Sequence, residues 1–145
     1  MSEYLSGKTL SEKQMFYYNG LKCPYCDAYT DLINSKEIYG EDYGLMYICR
    51  PCKAHVGVHS GTDQALGALA KKTLRELRHE AHKWFDPLWR KRMQISNLSV
   101  KSARAKAYRW MSELLEIDPV EAHIGFLNDK QCKILIDECK KYYNK

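Results

Sequence analysis

Four cysteines in two equal spacings, Cys23-Pro24-Tyr25-Cys26 and Cys49-Arg50-Pro51-Cys52, constrain this chain more than any other feature. Each pair sets two thiols at the ends of a tight turn, and four converging thiolates are what a tetrahedral Zn²⁺ takes. The 22 residues between Cys26 and Cys49 are enough for a hairpin that returns the second turn to the first. The expectation is one structural zinc held by Cys23, Cys26, Cys49 and Cys52. Four sulfur ligands leave no position for water or substrate, so the metal would shape the fold and perform no chemistry. An iron–sulfur centre is the alternative metal. A redox disulfide would need only one pair.

The chain has 145 residues, enough for one domain or for a small metal module with a helical segment. No run approaches the ~20 apolar residues of a membrane span, and the N-terminal MSEYLSGKTL has no signal-peptide core. A reducing cytoplasm is the expected setting, where paired cysteines more often bind metal than form disulfides. The formal net charge is +5, and four thiolates with one Zn²⁺ would bring it to about +3. Lys22, Arg50 and Lys53 flank the cysteines and are expected to offset the site's charge. The basic residues are unevenly spread. Twelve lie between Lys71 and Arg109 against Glu76, Glu80 and Asp86, so that segment carries +9. A charge run of that kind suits a nucleic-acid partner, a solvated face or a protein-docking face.

The expected fold class is α+β: a small N-terminal zinc ribbon of β-hairpins followed by three to four helices. Residues 1–20 read as an extension, with Ser11-x-x-Gln14 as a capping box for a helix over 12–18 and Asn19-Gly20 as its stop. The ribbon is placed at 21–62, with strands over 28–33, 45–48 and 54–58 and turn residues over 40–44. A basic helical segment is placed at 63–95. Its stripe is Leu74, Leu77, Ala81, Trp84, Phe85 and Leu88. Pro87 is expected to interrupt it, with Asp86 capping a second short helix. A C-terminal helical pair fills 96–145: a Ser96–Ser99 linker, a helix over 100–116 ended by Asp118-Pro119, and a last helix capped by Asn128-x-x-Gln131. The last stripe, Cys132, Leu135, Ile136, Cys139 and Tyr143, makes Cys132 and Cys139 core residues, not metal ligands.

The remaining residues are open to several readings. His55 and His59 follow the second CxxC pair, and His79 and His82 stand three apart on a helix. A metal-dependent nuclease built on a zinc knuckle would use such histidines, with His59 and His82 as the catalytic candidates, but His79-Glu80-Ala81-His82 lacks the HExxH spacing of a zinc protease. Gly57, Gly61 and Gly67 surround a turn that is not a P-loop. Trp84, Phe85, Trp89, Tyr108 and Trp110 are interleaved with the basic residues, an arrangement that holds single strands, although Trp84 and Phe85 also fit the core stripe.

Several stretches together resemble a family, the zinc-finger-containing domains of phage and bacterial proteins. They are Lys22-Cys23-Pro24-Tyr25-Cys26, Ile38-Tyr39-Gly40, Tyr43-Gly44, Cys49-x-x-Cys52, Val56 through Thr62, Leu66 through Ala70, Leu74-Arg75, Ala81-His82, Phe85 through Trp89, Ala107 through Trp110, His123-Ile124-Gly125 and Gln131-Cys132. The resemblance covers about 21–140. It implies a phage-type protein in the cytoplasm of a bacterial host. The family's function is uncharacterised, so the resemblance supplies no catalytic residue. It draws interest to Tyr39, His59, Thr62, His82, Asp86 and Trp89.

The leading expectation is a zinc-ribbon protein that binds nucleic acid, DNA or RNA, through Lys71, Lys72, Arg75, Arg78, Arg90, Lys91, Arg92 and Arg104. The first alternative is an interaction protein that docks on and inhibits or adapts a host complex, such as one of defence; the second is the nuclease. An enzyme is the less expected outcome.

Overall fold

The computed structural model describes residues 12–143. The chain divides into two compact units, Met1–Thr73 and Leu74–Lys145. The first holds a three-stranded antiparallel sheet in the order β1 (Asp31–Asn34), β2 (Leu45–Cys49), β3 (Ala54–Gly57). Register pairs Leu32 with Tyr47 and Tyr47 with Val56. Ahead of the sheet stands a short helix, α1 (Glu12–Tyr18), and a single helical turn, α2 (Lys36–Tyr39), lies inside the β1–β2 connection. The second unit is α-helical after the long α3 (Lys72–Ile95), with α4 (Val100–Leu115), two 3₁₀ turns (Pro119–Glu121 and Ile124–Phe126) and α5 (Asp129–Tyr143). An α+β fold with a zinc ribbon and three following helices is therefore what the chain adopts.

The expected strands fall where the alternating residues are, with β1 shifted to begin at Asp31. α2 was not anticipated, because four residues are too few to show a helical period. It is held by Ser35, whose carbonyl accepts from the amides of Ile38 and Tyr39 and whose buried hydroxyl accepts from the Tyr43 amide at 2.7 Å. Gly40 closes the turn at φ 77°. The α1 stop is as expected. Gly20 adopts φ 76°, and the Leu21 amide reaches back to the Phe16 carbonyl at 2.9 Å, the 6→1 bond of a Schellman end. The Ser11 side of the expected capping box lies outside the described residues.

Two helical expectations are corrected. Residues 63–71 are not helical. Ala65 bridges Val58 and Ala70 bridges His55, so this stretch runs along the outer edge of β3 and satisfies its backbone groups. Ala68, Leu69 and Ala70 are buried there. A run of small apolar residues covers an edge as readily as it begins a helix, and the edge's open hydrogen bonds decide the matter. Secondly, α3 passes through Pro87 without a break. Proline's fixed φ is helical, and the cost is the lost bond to the Lys83 carbonyl. The apolar stripe continues on both sides, with Ala81 and Phe85 buried before the proline and Leu88 half-buried after it, so packing outweighs that loss.

In the second unit, Ser99 caps α4, its hydroxyl accepting from the Ser102 amide. Helix α4 ends at Leu115 with Glu116 left-handed, two residues before the expected Asp118. Asp118 instead caps the first 3₁₀ turn, accepting from the Val120 amide. Asn128 and Gln131 form a reciprocal box at the start of α5: the Gln131 amide donates to Asn128 Oδ1 at 2.8 Å and the Asn128 amide to Gln131 Oε1 at 2.9 Å. Leu74, Phe85, Ala103, Met111, Leu135 and Ile136 are buried in this unit, as are Cys132 and Cys139.

Candidate metal centre and basic helical face

The four knuckle cysteines converge. Their sulfurs all lie within 4.8 Å of one another, and Cys26 Sγ stands 3.6 Å from Cys49 Sγ. Four sulfurs each about 2.3 Å from one tetrahedral Zn²⁺ would be separated by roughly 3.8 Å, so the cluster fits one structural zinc. Cys23 follows the α1 stop, Cys49 ends β2, and Cys26 and Cys52 close the two turns. Cys23, Tyr47, Cys49, Ala54 and Leu69 form the buried cluster of this unit, with Cys52, Val56, Val58 and Ala65 packed against it. The metal would thus cross-link the core of the ribbon.

The donor set has the electrostatics of such a site. Burial pushes the Cys23 thiol up, against the Tyr25 and Cys26 amides that favour its thiolate. The Ala28 amide, with the Cys52 and Cys49 thiols, lowers Cys26. Hydrogen bonding to Cys26, then burial, pushes Cys52 up to about 12. Four sulfurs this close cannot all ionise without a cation among them, and a bound Zn²⁺ would supply that charge. The flanking cations do less than expected: Arg50 is engaged by Glu37 at 3.3 Å and Asp31 at 3.6 Å, and Lys22 lies over the rings of Tyr29 and Phe16. Among the described residues, this is the one group of three or more Cys, His, Asp or Glu side chains so placed.

The histidines lie elsewhere. His55 Nε2 shares a 3.2 Å hydrogen bond with the Tyr39 hydroxyl. The His59 carbonyl accepts from the Thr62 hydroxyl at 2.8 Å and the Thr62 amide at 3.0 Å, which makes His59 and Thr62 the two ends of a locked turn. On α3, His82 Nδ1 stands 3.1 Å from Asp86 Oδ2, and Trp89 Nε1 donates to Asp86 Oδ1 at 3.2 Å. Burial works to raise the Asp86 pKa, but the bonds from His82 and Trp89 and the charges of His82 and Arg90 outweigh it, and the pKa is lowered.

Of the eight expected phosphate-binding cations, the six in the second unit are spread along α3 and α4. Lys71 belongs to the first unit, its ammonium 4.6 Å from the Tyr25 ring centre. Arg78 is half-buried and donates twice to the Leu127 carbonyl, at 3.1 and 3.3 Å, so it ties α3 to the turn before α5. Arg75 and Arg90 are separated by roughly 22 Å of helix. Arg90, Lys91 and Arg92 gather at the C-terminal end of α3, and Arg104 reaches the same region from α4. The Arg104 guanidinium lies 5.8 Å from the Trp89 ring centre and 5.6 Å from that of Tyr108, with Arg90 5.3 Å from Trp89. Lys106, from α4, lines one groove with Lys91 and Arg92 and was not among the eight expected. The signal was there: residues 87–112 carry seven cations and no carboxylate.

A four-cysteine ribbon joined to a helical unit defines a zinc-ribbon protein. The chain belongs to the family of zinc-finger-containing domains, whose profile matches residues 19–142. No curated protein and no solved structure matches it. Helix α1 precedes the matched span and still braces the first knuckle, through a 2.8 Å bond from the Tyr17 hydroxyl to Asp27 and the edge of Phe16 against Tyr29. Among the described residues, no helix is long and apolar enough to cross a membrane.

Proposed function

We propose that this zinc-ribbon protein binds nucleic acid through phosphate contacts from the α3–α4 hairpin. The carrying observation is the acid-free stretch 87–112. Its seven cations, Arg90, Lys91, Arg92, Lys101, Arg104, Lys106 and Arg109, are all exposed, and none forms an ion pair among the described residues. Asp86, just ahead of the stretch, offsets part of the field of Arg90 and Arg104, and the other cations, outside any ion pair, leave theirs to a polyanion. The zinc holds the ribbon together, and the hairpin makes the contacts. Four phosphates neutralised would give a salt slope of about −2.8 on a single strand or about −3.6 on a duplex. Anisotropy titrations of labelled DNA and RNA across salt concentrations measure this slope. The triple variant Arg90→Gln, Lys91→Gln, Arg92→Gln should flatten it by about 2.1 units on a single strand or about 2.7 on a duplex. Absence of binding to any nucleic acid at low salt would sink the reading.

A second reading rests on the ribbon. Tyr29, Tyr39 and Tyr43 are 73%, 53% and 71% exposed, and tyrosine is enriched at protein interfaces. Tyr39 and Tyr43 meet edge-on at 6.0 Å, and that exposed pair suits docking on a host protein complex in the phage-type setting. A partner retained after nuclease treatment and lost with Tyr39→Ser and Tyr43→Ser together would favour it.

A further inference from the structure

We propose that the groove between α3, α4 and the end of α5 takes one unstacked nucleobase, which would make the protein selective for single strands. The inference rests on the hairpin binding nucleic acid and adds what part of the polymer it reads. The groove encloses about 370 Å³, within the range of small-molecule sites. Its floor is buried Phe85 and Ala103, and its walls are Leu88, Trp110 and the half-exposed Tyr142. The Phe85 and Trp110 rings are parallel to within 13° at 6.4 Å, and Tyr142 meets Trp110 edge-on at 6.0 Å. Phe85 is buried and stacks on Trp110, so the flat surfaces left to a flat guest are the rings of half-buried Trp110 and half-exposed Tyr142.

Charge decides what that guest is attached to. Lys91, Arg92 and Lys106 also line the groove, all exposed, and no carboxylate occurs between Pro87 and Ser112 to oppose them. A purely apolar ligand would leave three cations unanswered. An aromatic ring carrying phosphates on either side satisfies both the walls and the rim. In a duplex the bases are stacked and paired, so only a single strand or a flipped base can offer one.

The test compares three probes with the full-length, zinc-loaded protein: a short oligothymidylate, an abasic oligomer of the same length, and a duplex of that length. Stacking one base contributes ~1–3 kcal/mol, so the oligothymidylate should bind about 5- to 150-fold tighter than the abasic oligomer, with quenching of tryptophan fluorescence. Ala107→Phe, which fills the groove, and the exposed Tyr142→Ala, which opens it, should each bring that ratio towards one and leave abasic binding in place. Melting curves confirm that each variant is folded. Equal binding of oligothymidylate and abasic oligomer, with the salt slope intact, would overturn the base-binding groove and leave the phosphate-binding hairpin standing. An oligothymidylate preference unchanged in both variants would also overturn it. Failure of all three probes to bind would overturn both, and a groove that takes up a neutral detergent but no oligonucleotide would point to a lipid-like occupant instead.

Discussion

Replacing Gly20 and Gly40 separately with alanine divides backbone strain from packing in the ribbon. The two glycines have nearly the same conformation, φ 76° and 77°. A left-handed alanine costs about 1–2 kcal/mol at either site, and the entropy removed from the unfolded chain is the same for both. Their surroundings differ. Nothing lies within 4 Å of a Cβ built at Gly40. At Gly20 that Cβ would stand 2.9 Å from Ala65 Cβ and 3.1 Å from two ring atoms of Tyr47. Neither neighbour gives easily. Ala65 Cβ is fixed to the backbone that bridges Val58, and Tyr47 is pinned by its hydroxyl to the Asp63 carbonyl at 2.5 Å. Overpacking of this kind adds about 1–3 kcal/mol. Gly20→Ala should therefore melt roughly 5–20 °C below Gly40→Ala, read by circular dichroism at one fixed free-zinc concentration, since metal binding shifts the midpoint. Equal midpoints would refute the close approach of Gly20 to Tyr47 and Ala65.

Zinc removal should unfold the first unit. A structural Cys₄ zinc contributes ~10–16 kcal/mol of apparent binding free energy at neutral pH, so chelation or Cys49→Ser should abolish the ribbon's amide dispersion in NMR spectra, whereas Cys139→Ser should lower stability by about 1–3 kcal/mol. Burial pushes Cys132 up to about 11 and Cys139 up to about 12. Both should resist alkylation in the native protein at pH 8 and react only after denaturation, as mass spectrometry would show. His123 should make the second unit acid-sensitive. Burial, then the charge of Arg104, holds its pKa below 6.5, so the unfolded chain takes up the proton first. Stability is complete above about pH 6.5 and falls as pH drops through the lowered folded value; His123→Gln should flatten urea midpoints between pH 7 and 5.

The metal site was legible because its signal is covalent spacing: two CxxC turns carry their own geometry wherever the chain places them. The Asn128–Gln131 box and the α5 stripe were legible for a similar reason, since a cap and a 3.6-residue period are local. What sequence could not show depends on competition between distant groups. The 65–70 stretch covers β3 because that edge has unpaired amides, and α3 continues through Pro87 because Phe85 and Leu88 have a core to enter. Arg78 reads like every other arginine on the helix until the Leu127 carbonyl appears beside it. The grouping of Arg90, Arg104 and Lys106 around Trp89 and Trp110 needed the hairpin, although the missing carboxylates between Asp86 and Glu113 mark its limits in the sequence.

Chemical-shift mapping of the zinc-loaded protein with a short oligothymidylate would locate the bound strand. Binding at the α3–α4 hairpin should perturb amides over residues 88–108 and shift the indole signals of Trp89 and Trp110. Perturbations confined to residues 21–62, or none at all at low salt, would contradict it.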